Sequence, residues 1–217
     1  MNPEDLREKC FEFVEKTAPA DAAHDISHIK RVVKTTLYLT DIEEAKVEIT
    51  LPAACLHDCV AVAKDSPLRS QGSRLAAEAA VEFLGEIGYP ADLLPEIAHA
   101  IEAHSFSANI PCQTLEAKVV QDADRMDALG AIGIARCLVV GGQFGSAIFS
   151  PDDPFCENRE PDDKAYAVDH FYAKLFKLPE TMQTEAGRAE AQRRVDLMQQ
   201  YLDTLRQEFL EEPAAAG

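Results

Sequence analysis

The chain has 217 residues, 47% of them hydrophobic, a formal net charge of −17, and few helix breakers, with 10 glycines and 12 prolines. That length suffices for one sizeable core, so a single domain over residues 1–217 is expected, with its core at about 20–205. So acidic a surface excludes general binding to nucleic acid or to anionic membranes, both of which need a basic face.

Six cysteines, Cys10, Cys55, Cys59, Cys112, Cys137 and Cys156, fall largely in apolar helical stretches, where a thiol behaves as a small hydrophobe. The start MNPEDLREKC lacks the basic residues and apolar run of a signal peptide, and no apolar segment is long enough to span a bilayer. A reducing, cytoplasmic location is expected. Cys55 and Cys59 stand four apart and leave open a structural zinc site, although no second cysteine pair stands at zinc-ribbon spacing.

Residues 4–17 read as an amphipathic helix with Leu6, Cys10, Phe13 and Val14 along one stripe. Residues 17–23, with Pro19, break it. A second helix starts near Asp25 and carries Ile29, Val32, Val33, Leu37 and Leu39 to about Asp41. At its start His24 and His28 are four apart, separated by about 40° of azimuth on a helix. Asp25 and Arg31 are surface neighbours of His28. A helix cap accounts for Asp25 but less well for two histidines aligned beside it.

A third helix is expected over about 43–63. It holds His57 and Asp58 inside the run LPAACLHDCVAVAK, residues 51–64, which is otherwise almost entirely apolar. Pro52 implies a kink or a later start. A carboxylate in such surroundings loses hydration and needs a cation or strong donors in exchange. A buried ion pair or a capped helix end would satisfy it. So would a divalent metal, which imidazole nitrogen and carboxylate oxygen suit together. The dipeptide alone does not choose between them. The polar loop that follows carries Lys64, Arg69 and Arg74 and opens a new helix near 70–73. Cations at a helix N-terminus make a natural phosphate site; a solvated loop is the equal alternative.

Helix four, about 73–85, carries Glu78, and Gly88-Tyr89-Pro90 turns the chain. Helix five, about 91–104, carries His99 and His104. Five apart, these lie about 140° from one another on an ideal helix and do not share a metal unless the helix ends between them. His99 by itself reads as an ordinary core or surface histidine. Residues 114–140 form a further amphipathic stretch in which Asp122, Asp124 and Asp127 crowd together. Asp124 and Asp127 share a face, while Asp122 points away. Such acids repel unless a cation, or Arg125, separates them. Gly130 and Gly133 allow close packing or a kink. The glycines at 141, 142 and 145 lack the lysine and helix of a P-loop. Residues 150–163, rich in Pro and Asp, read as an irregular, mobile loop. Tyr166, His170, Lys174 and Lys177 read as a helix ending at Pro179, with His170 and Lys174 facing a polyanion or solvent. A long amphipathic helix over about 185–209 would support a homodimer, and the tail EEPAAAG frays.

In chain order the candidate ligands are His28, His57 with Asp58, and an aspartate near 124. That order on a wholly helical chain resembles the HD superfamily of metal-dependent phosphohydrolases. The segments DAAHDISHIKRV, CLHDCV, AIEAHSFS, VVQDADRMDALGAIGIAR and DPFCENREPDDKAYAVDHFYAKLFKLPETM look like its YedJ-like branch, and the likeness runs over about 20–205. The resemblance implies an all-α, HD-domain helical bundle that holds a metal between helices. His28, His57, Asp58 and Asp124 would be the ligands. Asp124 is preferred to Asp122 because the family's last ligand directly precedes the Arg of an Ala-Asp-Arg sequence. One divalent ion is expected, Mn²⁺ foremost, with Mg²⁺, Co²⁺, Ni²⁺ or Zn²⁺ as alternatives.

The resemblance implies hydrolysis of a small-molecule nucleotide, foremost a (deoxy)nucleoside triphosphate cut to monophosphate and pyrophosphate. A 5′-nucleotidase or other phosphoester hydrolase is the alternative, and a non-catalytic ligand-sensing HD domain is the alternative of another class. Two imidazoles and two carboxylates carry two negative charges and leave room for water and a phosphate oxygen. Asp58 would orient water while binding metal. Glu78 and His104 are acid–base candidates. Lys64, Arg69, Arg74 and Lys174 would hold the phosphates.

Overall fold

The structure is a computed structural model that describes residues 1–17, 26–60, 62 and 69–210, with Arg69 and Leu210 described by their backbone alone. Among these residues the regular elements are helices, and strand-like pairing is confined to one parallel bridge between Ala147 and Tyr166. The chain packs into two compact units: residues 1–127 with 182–188, and residues 128–181 with the chain from 189 onward. No single helix among the described residues is long and apolar enough to cross a membrane.

The first unit is built from α1 (Pro3–Thr17), α2 (Ile26–Ile42), α3 (Val47–Leu56), α4 (Gly72–Glu86), α5 (Leu94–His104) and α6 (Leu115–Met126). α3 is its centre. Every residue from Ile49 to Leu56 is buried, as befits a helix that is apolar all round. α1, α2 and α5 pack on it, and α5 also packs on α4 and α6. α1 contributes the stripe Leu6, Cys10 and Val14, and α2 contributes Ile29, Val32, Val33 and Leu39, spaced to line one helix face.

α3 is shorter than the expected helix over 43–63, and Pro52 lies within it. Proline has no N–H to give the carbonyl four residues back. That carbonyl, on Glu48, instead accepts a hydrogen bond from Tyr89 Oη at 2.7 Å. At the N-terminus of the same helix, the Lys46 N–H donates to the Glu116 carboxylate at 3.2 Å, a favourable place for negative charge. Thr114 caps α6, its hydroxyl accepting from the Ala117 N–H at 3.1 Å.

The helix expected over 114–140 is two helices. The chain breaks between Met126 and Gly130, where Gly130 takes a φ of +73°, a region open to glycine and strained for other residues. The second unit begins there with α7 (Gly130–Gln143), followed by α8 (Asp169–Ala173), a 3₁₀ turn (Leu175–Thr181) and most of α9 (Glu185–Leu210). The helix expected through Lys177 is therefore a short α-helix and a 3₁₀ turn, with Pro179 inside the turn. Residues 150–163 are irregular, as the composition suggests, but they are tied down. Asp169 is fully buried; it accepts from Arg159 Nη2 at 2.8 Å and from the Asp162 N–H at 2.7 Å. Burial would raise the Asp169 carboxyl's pKa, but Arg159 and the Asp162 N–H hold it below the usual range.

Candidate metal centre

Four side chains from three stretches of the first unit meet at one point. His28 lies in the first turn of α2, His57 caps the C-terminus of α3 with Asp58 next to it, and Asp124 lies in the last turn of α6. The two imidazole Nε2 atoms stand 3.3 Å apart. Asp58 Oδ2 is 3.9 Å from His28 Nε2 and 3.7 Å from His57 Nε2. Asp124 Oδ1 is 3.5 Å from the first and 3.8 Å from the second. The ligand atoms of His28, His57 and Asp58 all lie within 4.8 Å of one another. Around an ion with bonds of about 2.0–2.2 Å, neighbouring donor atoms are roughly 3.0–3.6 Å apart. The set has the spacing of a slightly expanded coordination shell.

The tautomers follow from what the other ring nitrogens touch. His57 Nδ1 is 2.8 Å from the Ala54 carbonyl, which only accepts, so Nδ1 carries the hydrogen. His28 Nδ1 is 2.7 Å from Asp127 Oδ2 and donates to it. When both rings are neutral, each aims an Nε2 lone pair inward, and two lone pairs at 3.3 Å repel unless a proton or a metal cation lies between them. Asp127 is buried and itself fixed by Arg31, which donates from Nε at 2.7 Å and from Nη2 at 3.0 Å. Arg31, Asp127 and His28 thus form a chain that orients the His28 ring. Spacing in the sequence puts Asp127 on the face of Asp124 and Arg31 beside His28 without assigning either a role. Their spacing, three residues from a ligand in each case, was the available signal.

Backbone dipoles add to the field. α3, α5 and α6 all end at the cluster through His57, His104 and Asp124, and the C-terminal end of a helix carries partial negative charge. His104 is buried, its Nδ1 donating to the Ile101 carbonyl at 2.5 Å and its Nε2 lying 3.5 Å from Asp58 Oδ1. The helix ends at His104, which frees this ring from the azimuth of His99. His99 is occupied elsewhere, its Nε2 accepting from the Gln113 N–H at 3.0 Å.

Protonation shows the same demand for positive charge. Burial alone would lower His28, but hydrogen bonds and the fields of Asp124 and Asp127 raise it from 6.5 to about 9. Burial lowers His57 against the opposing pull of Asp58. Burial would raise Asp124, yet the three imidazoles around it, His28 first, hold it below the usual carboxylate range. Two histidines are nearly sealed, with side-chain exposures of 4% and 0%, whereas Asp58 and Asp124 keep 28% and 26%. An ion bound here would have its imidazole side closed and its carboxylate side open to water and a ligand. Two imidazoles, two carboxylates and convergent helix C-termini fit a divalent cation of the borderline or hard type.

Asp122, the aspartate passed over as a ligand, is fully buried and serves the fold. It accepts from the Gln183 and Thr184 N–H groups, each at 2.8 Å, and from the Thr184 hydroxyl at 2.7 Å. Among the expected site residues, His28, His57, Asp58, Asp124 and His104 come together. Glu78 and Arg74 lie exposed on α4. Lys64, together with His24 and Asp25, lies outside the described residues, and Arg69 is described only by its backbone. Lys174 belongs to the second unit and pairs with Asp163 Oδ2 at 2.7 Å. Cys55 and Cys59 are core thiols. Burial pushes Cys59 up to about 12, and a hydrogen bond with Cys10 followed by burial raises Cys55 well above its ordinary value. They are poor thiolate donors.

Known proteins resemble this chain along most of its length. The family profile for the HD domain matches residues 25–129. Protein YpgQ of Bacillus subtilis (strain 168) is 30% identical over 193 residues, 87% of this chain and 85% of that protein. The crystal structure of an HD-superfamily hydrolase from Bacillus thuringiensis superposes with a TM-score of 0.75 at 32% identity, covering 97% of this chain and 100% of that one. The crystal structure of B. subtilis YpgQ in complex with ADP superposes with a TM-score of 0.72 at 28% identity, covering 96% and 97%. The all-α architecture, the convergent His28, His57, Asp58 and Asp124, and these likenesses together make the chain a member of the HD superfamily of metal-dependent phosphohydrolases.

Proposed function

We propose that this hydrolase cuts a (deoxy)nucleoside triphosphate to the monophosphate and pyrophosphate, using one divalent ion, Mn²⁺ foremost, on His28, His57, Asp58 and Asp124. The observation that carries the metal half is the pair of Nε2 atoms 3.3 Å apart with two half-open carboxylates beside them. The nucleotide half is supported by the relative YpgQ, which crystallised with ADP. A divalent ion in this place supplies Lewis acidity toward a water molecule and a phosphoryl oxygen. The rest falls to the protein. The Arg31–Asp127–His28 chain and the Ala54 carbonyl hold the imidazoles in their tautomers. Asp58, with one oxygen toward the histidines and the other 3.5 Å from His104 Nε2, orients the attacking water, and His104 is its proton partner. Glu78, exposed on α4, stands outside that exchange. Arg74, Lys64 and Arg69 are our candidates for the phosphate tail, since a chain of net charge −17 repels a triphosphate without local cations.

Product analysis tests this reading. Metal-stripped protein is incubated with ATP, the four common deoxynucleoside triphosphates and the monophosphates, with Mn²⁺, Mg²⁺, Co²⁺ or no addition. Monophosphate and pyrophosphate formed only with metal is the expected result, and Asp58→Ala should abolish it. Orthophosphate released from monophosphates would replace the proposal with a 5′-nucleotidase. Metal bound without product from any of these would refute nucleotide hydrolysis.

A further inference from the structure

The second unit contains a cavity of about 660 Å³, within the size range of small-molecule sites. α7 supplies one wall from Gly133, Arg136, Cys137 and Val140, at spacings that put them on one helix face. The segment from Asp163 to Leu175 supplies the facing wall. Gly141 lets the two approach, since a Cβ there would come within 2.9 Å of Ala167 Cβ.

The charge of this cavity is opposite to that of the chain. Arg136, Lys164 and Lys174 line it against the single carboxylate of Asp163, an excess of cations in a chain with 38 acidic and 21 basic residues. Asp163 accepts from Lys174 Nζ at 2.7 Å and from His170 Nδ1 at 3.0 Å, which fixes both side chains beside the cavity. Val140, Phe144 and Leu175 make an apolar side, and Phe144 is 70% exposed. Cations beside an apolar surface with an accessible ring suit an anion that carries a flat, apolar body.

We propose that this cavity is a binding site for a nucleoside phosphate, with its base against Val140, Phe144 and Leu175 and its phosphates on Arg136, Lys164 and Lys174. The choice of a nucleoside phosphate rests on the substrate reading above; the demand for an anion with an apolar body rests on the cavity itself. The site holds its ligand without help from the metal.

Cys137 reports occupancy, because it lines the cavity and its thiol donates to the carbonyl of Ala167, another lining residue, at 3.3 Å. Cys156 lies in the same unit outside the cavity lining, and burial pushes both thiols up to about 11, which makes it a matched reference. The full chain is alkylated with N-ethylmaleimide, with and without α,β-methylene-ATP, in Mn²⁺ and in EDTA, and each cysteine is followed by peptide mass spectrometry. The expected result is a slowing of Cys137 by at least about fivefold in both media, since a ligand in such a cavity buries most of its surface; Cys156 stays unchanged. Arg136→Ala combined with Lys174→Ala should raise the half-protecting concentration by about tenfold or more, with the melting temperature and the Cys156 rate confirming the fold. Inorganic triphosphate should protect only at higher concentration.

No protection of Cys137, or protection that vanishes in EDTA, would overturn the proposal. Equal protection by inorganic triphosphate would remove the base from it. Protection in EDTA by a protein that hydrolyses no nucleotide would keep this site and refute the activity alone.

Discussion

Asp127→Asn isolates the contribution of the carboxylate behind His28, the proposed metal ligand. Asp127 accepts from His28 Nδ1 at 2.7 Å and from Arg31 at 2.7 and 3.0 Å, and its side chain is only 5% exposed. Asparagine keeps the shape but has one acceptor oxygen in place of two. Its amide nitrogen must therefore confront either the His28 N–H or the Arg31 guanidinium, donor against donor. The lost negative charge also makes His28 less basic toward a cation. Removing such an outer partner typically weakens metal binding 10- to 100-fold, or about 1.4–2.7 kcal/mol. The fold should lose less than a fully buried pair would, because the Arg31 side chain is 33% exposed; about 1–3 kcal/mol is expected. Calorimetric titration of Mn²⁺ into metal-stripped wild type and variant at one pH gives the affinities, and urea unfolding of the same preparations gives the stability. An Mn²⁺ Kd within twofold of wild type, in a variant that remains folded, would refute the orienting role assigned to this chain of residues.

The remaining predictions concern protons, packing and the acid–base pair. His28 titrates at about 9 in the folded, metal-free protein against 6.5 when free. Its contribution to stability is therefore complete below about pH 6.5 and is lost as the pH rises through 9. A metal must displace that proton, so Mn²⁺ affinity should rise by up to about tenfold per pH unit between pH 7 and 9; a flat calorimetric profile over that window would contradict the His28 assignment. Gly187→Ala should destabilise by about 1–3 kcal/mol, because its Cβ would come within 2.4 Å of Asp122 Oδ2; an unchanged thermal midpoint would show that the Asp122–Thr184 tether yields freely. His104→Ala should lower kcat by about 10²- to 10⁴-fold, while the exposed Glu78→Gln should leave it within about twofold, and the reverse order in steady-state kinetics would exchange their roles.

The amino-acid sequence by itself determined the helical class, which local spacing carries, whereas the candidate metal ligands were singled out by the resemblance to the HD superfamily. Leu6, Cys10 and Val14, or Ile29, Val32 and Val33, mark a buried helix face at separations a linear reading detects. A histidine–aspartate pair in an apolar run needs a counter-charge wherever the run folds. Helix boundaries were harder to read. α3 ends at Leu56, and the 114–140 stretch breaks before Gly130, whose φ of +73° does not belong to a right-handed helix. The division of labour among Asp122, Asp124 and Asp127 was likewise decided by the tertiary structure. One anchors Thr184, one faces the metal point and one braces His28. The three differ in what the rest of the chain brings to them. Residues 62, 96 and 99 positions away in sequence supply those partners, and no local pattern encodes contacts at such separations.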